Sequence, residues 1–80
     1  MSEGSKISRM ANQIATFFHS QPKSEGPNGV ATHINKFWEP RMRRQLFDIV
    51  DNHAGEGLDS LVLAAVPMIR RPPPAEIPAA

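Results

Sequence analysis

Apolar residues recur along the chain with helical spacing. Over 6–20 they fall at Ile7, Met10, Ala11, Ile14, Ala15, Phe17 and Phe18. That pattern fills one broad face of a helix and leaves Arg9, Asn12, Gln13, Thr16, His19 and Ser20 for the other. Ser5 is the expected N-cap, behind a frayed start. The next nine residues, "QPKSEGPNG", hold two Pro and two Gly and predict a loop over 21–29. Asn28 is placed to cap a short second helix, whose apolar side is Val30, Ala31, Ile34, Phe37 and Trp38. That helix should stop near Trp38 or Glu39, since a residue before proline is pushed out of the α region.

Pro40 suits the first position of a third helix, where a missing N–H costs nothing. Met42, Leu46, Ile49, Val50 and His53 form its stripe, and Gly55 or Gly57 should end it. A fourth helix, capped by Asp59, is expected over 60–66, with Pro67 ending or kinking it. "RRPPPAEIPAA" predicts a disordered or extended proline-rich tail. The fold class is therefore all-α: a small bundle of three to four short helices over residues 1–70, then a tail over 71–80. The expected core is Ile7, Met10, Ile14, Phe17, Phe18, Ile34, Phe37, Trp38, Met42, Leu46, Ile49 and Val50.

Composition narrows the function. Eighty residues supply one modest core, about 3–5 kcal/mol at this size. With no cysteine, disulfides and thiolate metal sites are excluded, and a partner becomes the economical reinforcement. A net charge of +1 does not favour nucleic acid. The first twenty residues show no secretory leader pattern, and no apolar run nears the ~20 residues of a membrane span. A cytoplasmic chain without membrane or nucleic-acid contacts is expected. The three histidines lie on different predicted helices without metal-site spacing. No phosphate loop or nucleophile signature appears. No catalytic, cofactor-binding or metal residue is therefore expected, and the chain is read as non-enzymatic.

Two stretches depart from helix rules. Arg41, Arg43 and Arg44 open the third helix while Asp48 and Asp51 sit near its far end, both against the macrodipole. Such inconsistencies mark candidate contact surface, although Glu39–Arg43 and Arg44–Asp48 have the spacing of compensating pairs. Arg41 has no such neighbour and is the expected carboxylate-binding arginine. Arg44 joins it, as does Phe47, which sits roughly 60° beyond the stripe's edge and has either the core or a partner to face. The fourth helix is apolar all round, so Leu63, with Met68 and Ile69 beyond it, is expected to leave surface for docking. Two other readings are a helical nucleic-acid-binding module, with "FWEPRMRR" as its contact, and a maturation chaperone.

"RMANQIATFF", then "HINKFWEPRMRRQL", then "GLDSLVLAAV" resemble, in order, the small delta subunit of cytoplasmic NAD-dependent formate dehydrogenases. Ser60 stands where many such chains carry proline, and Pro67 interrupts a helix expected to continue. The resemblance implies a non-catalytic subunit bound to the molybdenum-containing alpha subunit and supporting assembly or stability of the complex. Through that subunit it would join the NAD- and FMN-binding subunits. The partners would carry a molybdenum or tungsten pterin cofactor, iron–sulfur clusters and FMN, oxidising formate to CO2 with electrons passed to NAD.

Overall fold

The computed structural model describes residues 3–22 and 25–72. It consists of α1 (Glu3–His19), α2 (Gly26–Phe37), α3 (Pro40–Asn52), α4 (Ser60–Ala65) and a 3-10 turn, Val66–Met68. Among the described residues there is no strand, and the all-α class holds. Most of the expected tail, residues 73–80, lies outside the described residues.

The first helix begins at Glu3, so Ser5 sits in its opening turn rather than at the cap. Once an amphipathic segment is helical, each added residue gains a hydrogen bond at little cost, so extension is favourable. The second helix also starts early, at Gly26, with Pro27 in its first turn and Glu25 at the cap position. Asn28 is therefore inside the helix. Proline and glycine here signal a helix start and a close approach, not a continuing loop. A Cβ on Gly29 would lie 2.2 Å from Phe18 Cε1, so Gly29 lets the Phe18 ring sit on the α2 backbone.

Trp38 and Glu39 are extended, with φ, ψ of −88°, 131° and −65°, 156°, and Pro40 opens α3 as expected. The Trp38 N–H donates to Ile34 O at 2.9 Å, which closes α2 while turning the indole inward. At the end of α3, the N–H groups of His53 and Gly55 both donate to Ile49 O. Gly55 adopts φ +70°, a left-handed cap that glycine accepts freely. His53, expected on the apolar stripe, is instead at the exposed C-cap. Asp59 caps α4, accepting the Leu61 N–H at 2.8 Å. Pro67 then turns the chain into the 3-10 segment.

The core is built from Ile7, Ala11 and Ala15 on α1, Val30, Ala31, Ile34 and Trp38 around α2, Leu46, Phe47 and Ile49 on α3, then Leu58, Val62, Ala65 and Ile69. Met10, Ile14, Phe18, Met42 and Val50 pack against it, partly buried. Two expected core residues are corrected. Phe17 is 60% exposed and Phe37 is 64% exposed. Phe17 lies roughly 100° around α1 from Phe18, the ring that meets Gly29. At the end of α2, Trp38 takes the inward position, and Phe37 stays outside, tilted against His33 with ring centroids 4.9 Å apart.

Candidate functional site

Two asparagines join the helices to the second half of the chain. Asn12 donates from Nδ2 to Gly57 O at 2.8 Å and accepts the Asp59 N–H on Oδ1 at 2.7 Å. Asn35 repeats the arrangement, donating to Met68 O at 3.0 Å and accepting the Arg70 N–H at 2.8 Å. Each side-chain amide thus satisfies both a carbonyl and an N–H that have left regular structure. Neither residue belonged to the expected site. A signal was present, because asparagine is a poor residue for a helix interior and favours contacts with nearby backbone.

The first joint is reinforced by His19 Nε2, 2.8 Å from Asp59 Oδ1. The Leu61 N–H bond, then the His19 bond, hold the Asp59 carboxyl below its ordinary range. At the second joint Arg43 donates from Nη1 to Arg70 O at 3.0 Å. Arg71 grips Asp51 through both terminal nitrogens, at 2.8 and 3.0 Å. That bidentate bond keeps Asp51 low and raises Arg71. Asp51, misplaced for the helix dipole, thereby gains a cation from a different part of the chain.

These contacts correct two residues of the expected docking surface. Phe47 is buried in the core cluster, and the Arg71 guanidinium lies over its ring. Ile69 is buried because Asn35 holds the backbone on either side of it. Arg41, Leu63 and Met68 are exposed and Arg44 half-buried. The structure does not gather these into one patch with Phe47 and Ile69.

A different surface carries the exposed aromatic area. Phe17 meets Phe18 edge-on at 5.0 Å, His33 meets Phe37 at 4.9 Å, and the Lys36 ammonium stands 5.6 Å from the Phe37 ring centroid. A hollow of about 280 Å³ is lined by Ile14, Phe17, Phe18 and His33. A neighbouring groove of about 460 Å³ runs from Phe18 past Gly29 and His33 to Phe37. A larger groove, about 710 Å³, has Ser8, Arg9, Asn12, His53 and Glu56 in its walls. His53 also approaches the Asp48 carboxylate, at 3.7 Å. Among the described residues no cluster suits a metal ion, and no helix is long and apolar enough to cross a membrane.

The fold is that of a small helical polypeptide whose distinctive surface is aromatic and open. The family described as the NADH-dependent formate dehydrogenase delta subunit, FdsD, matches residues 6–66, and the chain belongs to that family. No curated protein matches it.

Proposed function

We propose that this chain is the non-catalytic delta subunit of an NAD-dependent formate dehydrogenase, bound to the molybdenum-containing alpha subunit and supporting assembly or stability of the complex. The observation that carries this reading is the family match across four-helix residues 6–66. The open aromatic surface fits it, since large exposed rings are characteristic of contact faces. In this reading the partner subunits hold the molybdenum or tungsten pterin cofactor, the iron–sulfur clusters and FMN. Formate oxidation and NAD reduction take place on them.

The test is affinity capture of the tagged full chain from its own cells, with metal analysis and a formate-dependent NAD reduction assay. Recovery of large, metal-loaded, active subunits is expected. Recovery of the same subunits without metal points to a maturation chaperone that leaves before loading. Recovery of nucleic acid, or of no partner, overturns the proposal.

A further inference from the structure

We propose that the face formed by Phe17, Phe18, His33 and Phe37 is the docking face for the large partner subunit, which contributes an apolar side chain flanked by a carboxylate. The inference rests on the subunit reading above and specifies its contact.

Two phenylalanines more than half exposed on one 80-residue chain are costly in water. Aromatic anchors of this kind dominate binding energy when a partner desolvates them. The hollow between Ile14, Phe17, Phe18 and His33 is apolar apart from the imidazole, so it accepts an aliphatic or aromatic side chain. Lys36 adds charge specificity. Its ammonium stands over Phe37, and among the described residues no carboxylate pairs with it. A partner carboxylate beside the inserted apolar group would complete that site.

Other occupants fit less well. Residues 68–71 of the chain itself lie elsewhere. Asn35, which holds residues 68–70, is about 200° around α2 from Phe37, and Arg71 is fastened to α3. A second copy docked about a two-fold axis through the patch would set two Lys36 ammonium groups against each other. The rival face, with Leu63 and Met68 each 41% exposed, is aliphatic, and Leu63 already folds against Gly55.

The experiment is co-expression of the full chain with the other formate dehydrogenase subunits, followed by affinity measurement on the purified components. Phe17→Ser/Phe37→Ser should weaken binding by roughly a hundredfold, the scale of two modest hot spots. Lys36→Glu should weaken it by roughly tenfold. Leu63→Ser/Met68→Ser should bind like the parent. Helicity of the free chains is checked by circular dichroism, and Lys36→Glu decides the matter where the double aromatic variant misfolds. Parent-like binding by the aromatic and Lys36 variants, with loss in Leu63→Ser/Met68→Ser, overturns the docking face and leaves the subunit reading standing. Failure of the parent chain to bind any subunit overturns both. A parent dimer that Phe17→Ser/Phe37→Ser converts to monomer, without loss of subunit binding, assigns the face to a second copy and also overturns the inference.

Discussion

Arg71 lies over Phe47, its guanidinium carbon 4.2 Å from the ring centroid, while its two terminal nitrogens hold Asp51. One side chain thus closes the apolar edge of α3 and neutralises an acid near that helix's C-terminal end. The backbone before it is held independently, by Asn35 and Arg43.

Arg71→Ala should uncover Phe47 and loosen residues 69–72 while leaving the four helices in place. Arg71→Lys should restore charge but not the planar two-pronged grip or the stack. Hydrogen exchange at the Ile69 amide, which donates to Val66 O, reads the change. Exchange identical to the parent in Arg71→Ala would show that the side chain holds nothing down.

Acid should open both joints. Asp59 is held low first by the Leu61 N–H and then by His19, and Asp51 first by its Arg71 hydrogen bonds. Their folded values lie below the unfolded one, so the stability they contribute is complete above about pH 4. It is lost as pH falls through the lower folded values. Melting temperatures from about pH 6 to pH 2 should fall, and Asp59→Asn should flatten part of that fall. A parallel fall in Asp59→Asn would remove this carboxylate from the explanation.

Asn12→Asp keeps an acceptor for the Asp59 N–H but puts a carboxylate oxygen where Nδ2 met Gly57 O. The lost bond and the orphaned carbonyl should cost about 1–3 kcal/mol in urea unfolding. Parent-like stability would mean that water satisfies the loop without the amide.

Gly29→Ala sets two effects against each other. Alanine is the better helix former by up to ~1 kcal/mol. Its Cβ would sit 2.2 to 2.8 Å from three atoms of the Phe18 ring, and overpacking of this sort costs about 1–3 kcal/mol. Net destabilisation is expected. In a Phe18→Ala background the same change should become neutral or stabilising. Additive effects across that double-mutant cycle would rule out the ring contact as the cause.

Trp38→Ala should cost about 3–5 kcal/mol, since the indole is only 7% exposed. That equals the whole stability expected of so small a core. Loss of a cooperative thermal transition in circular dichroism is the expected result. A cooperative transition near the parent temperature would show that the corner at Pro40 holds without the indole.

Helices were legible wherever period and punctuation agreed. Trp38–Pro40 and Asp59–Ser60 carry their turn and cap chemistry in adjacent residues, and the structure follows both. The stretch 21–29 misled because Pro27 and Gly29 serve the helix that the same residue types usually break. Burial of α1 and α2 was readable for Ile7, Ile34 and Trp38. It failed for Phe17 and Phe37, which periodicity places near an apolar stripe without telling how far the neighbouring helix reaches. For Phe47 and Ile69 the neighbours that matter, Arg71 and Asn35, are more than twenty residues away along the chain. No local pattern announces them. The two asparagine joints carried a partial signal, two asparagines inside helices, but their partners 33 to 47 residues away were hidden for the same reason.

Asn12 meets residues 45 and 47 positions further along, and His19 meets Asp59 across 40. The α2–α3 corner, by contrast, forms between immediate neighbours. The corner can assemble early, whereas seating α1 on the 57–59 loop must close a large ring of chain against its entropy. The first joint is thus a long-range closure: it ties α1, which also packs on α2, to a segment more than forty residues further along the chain.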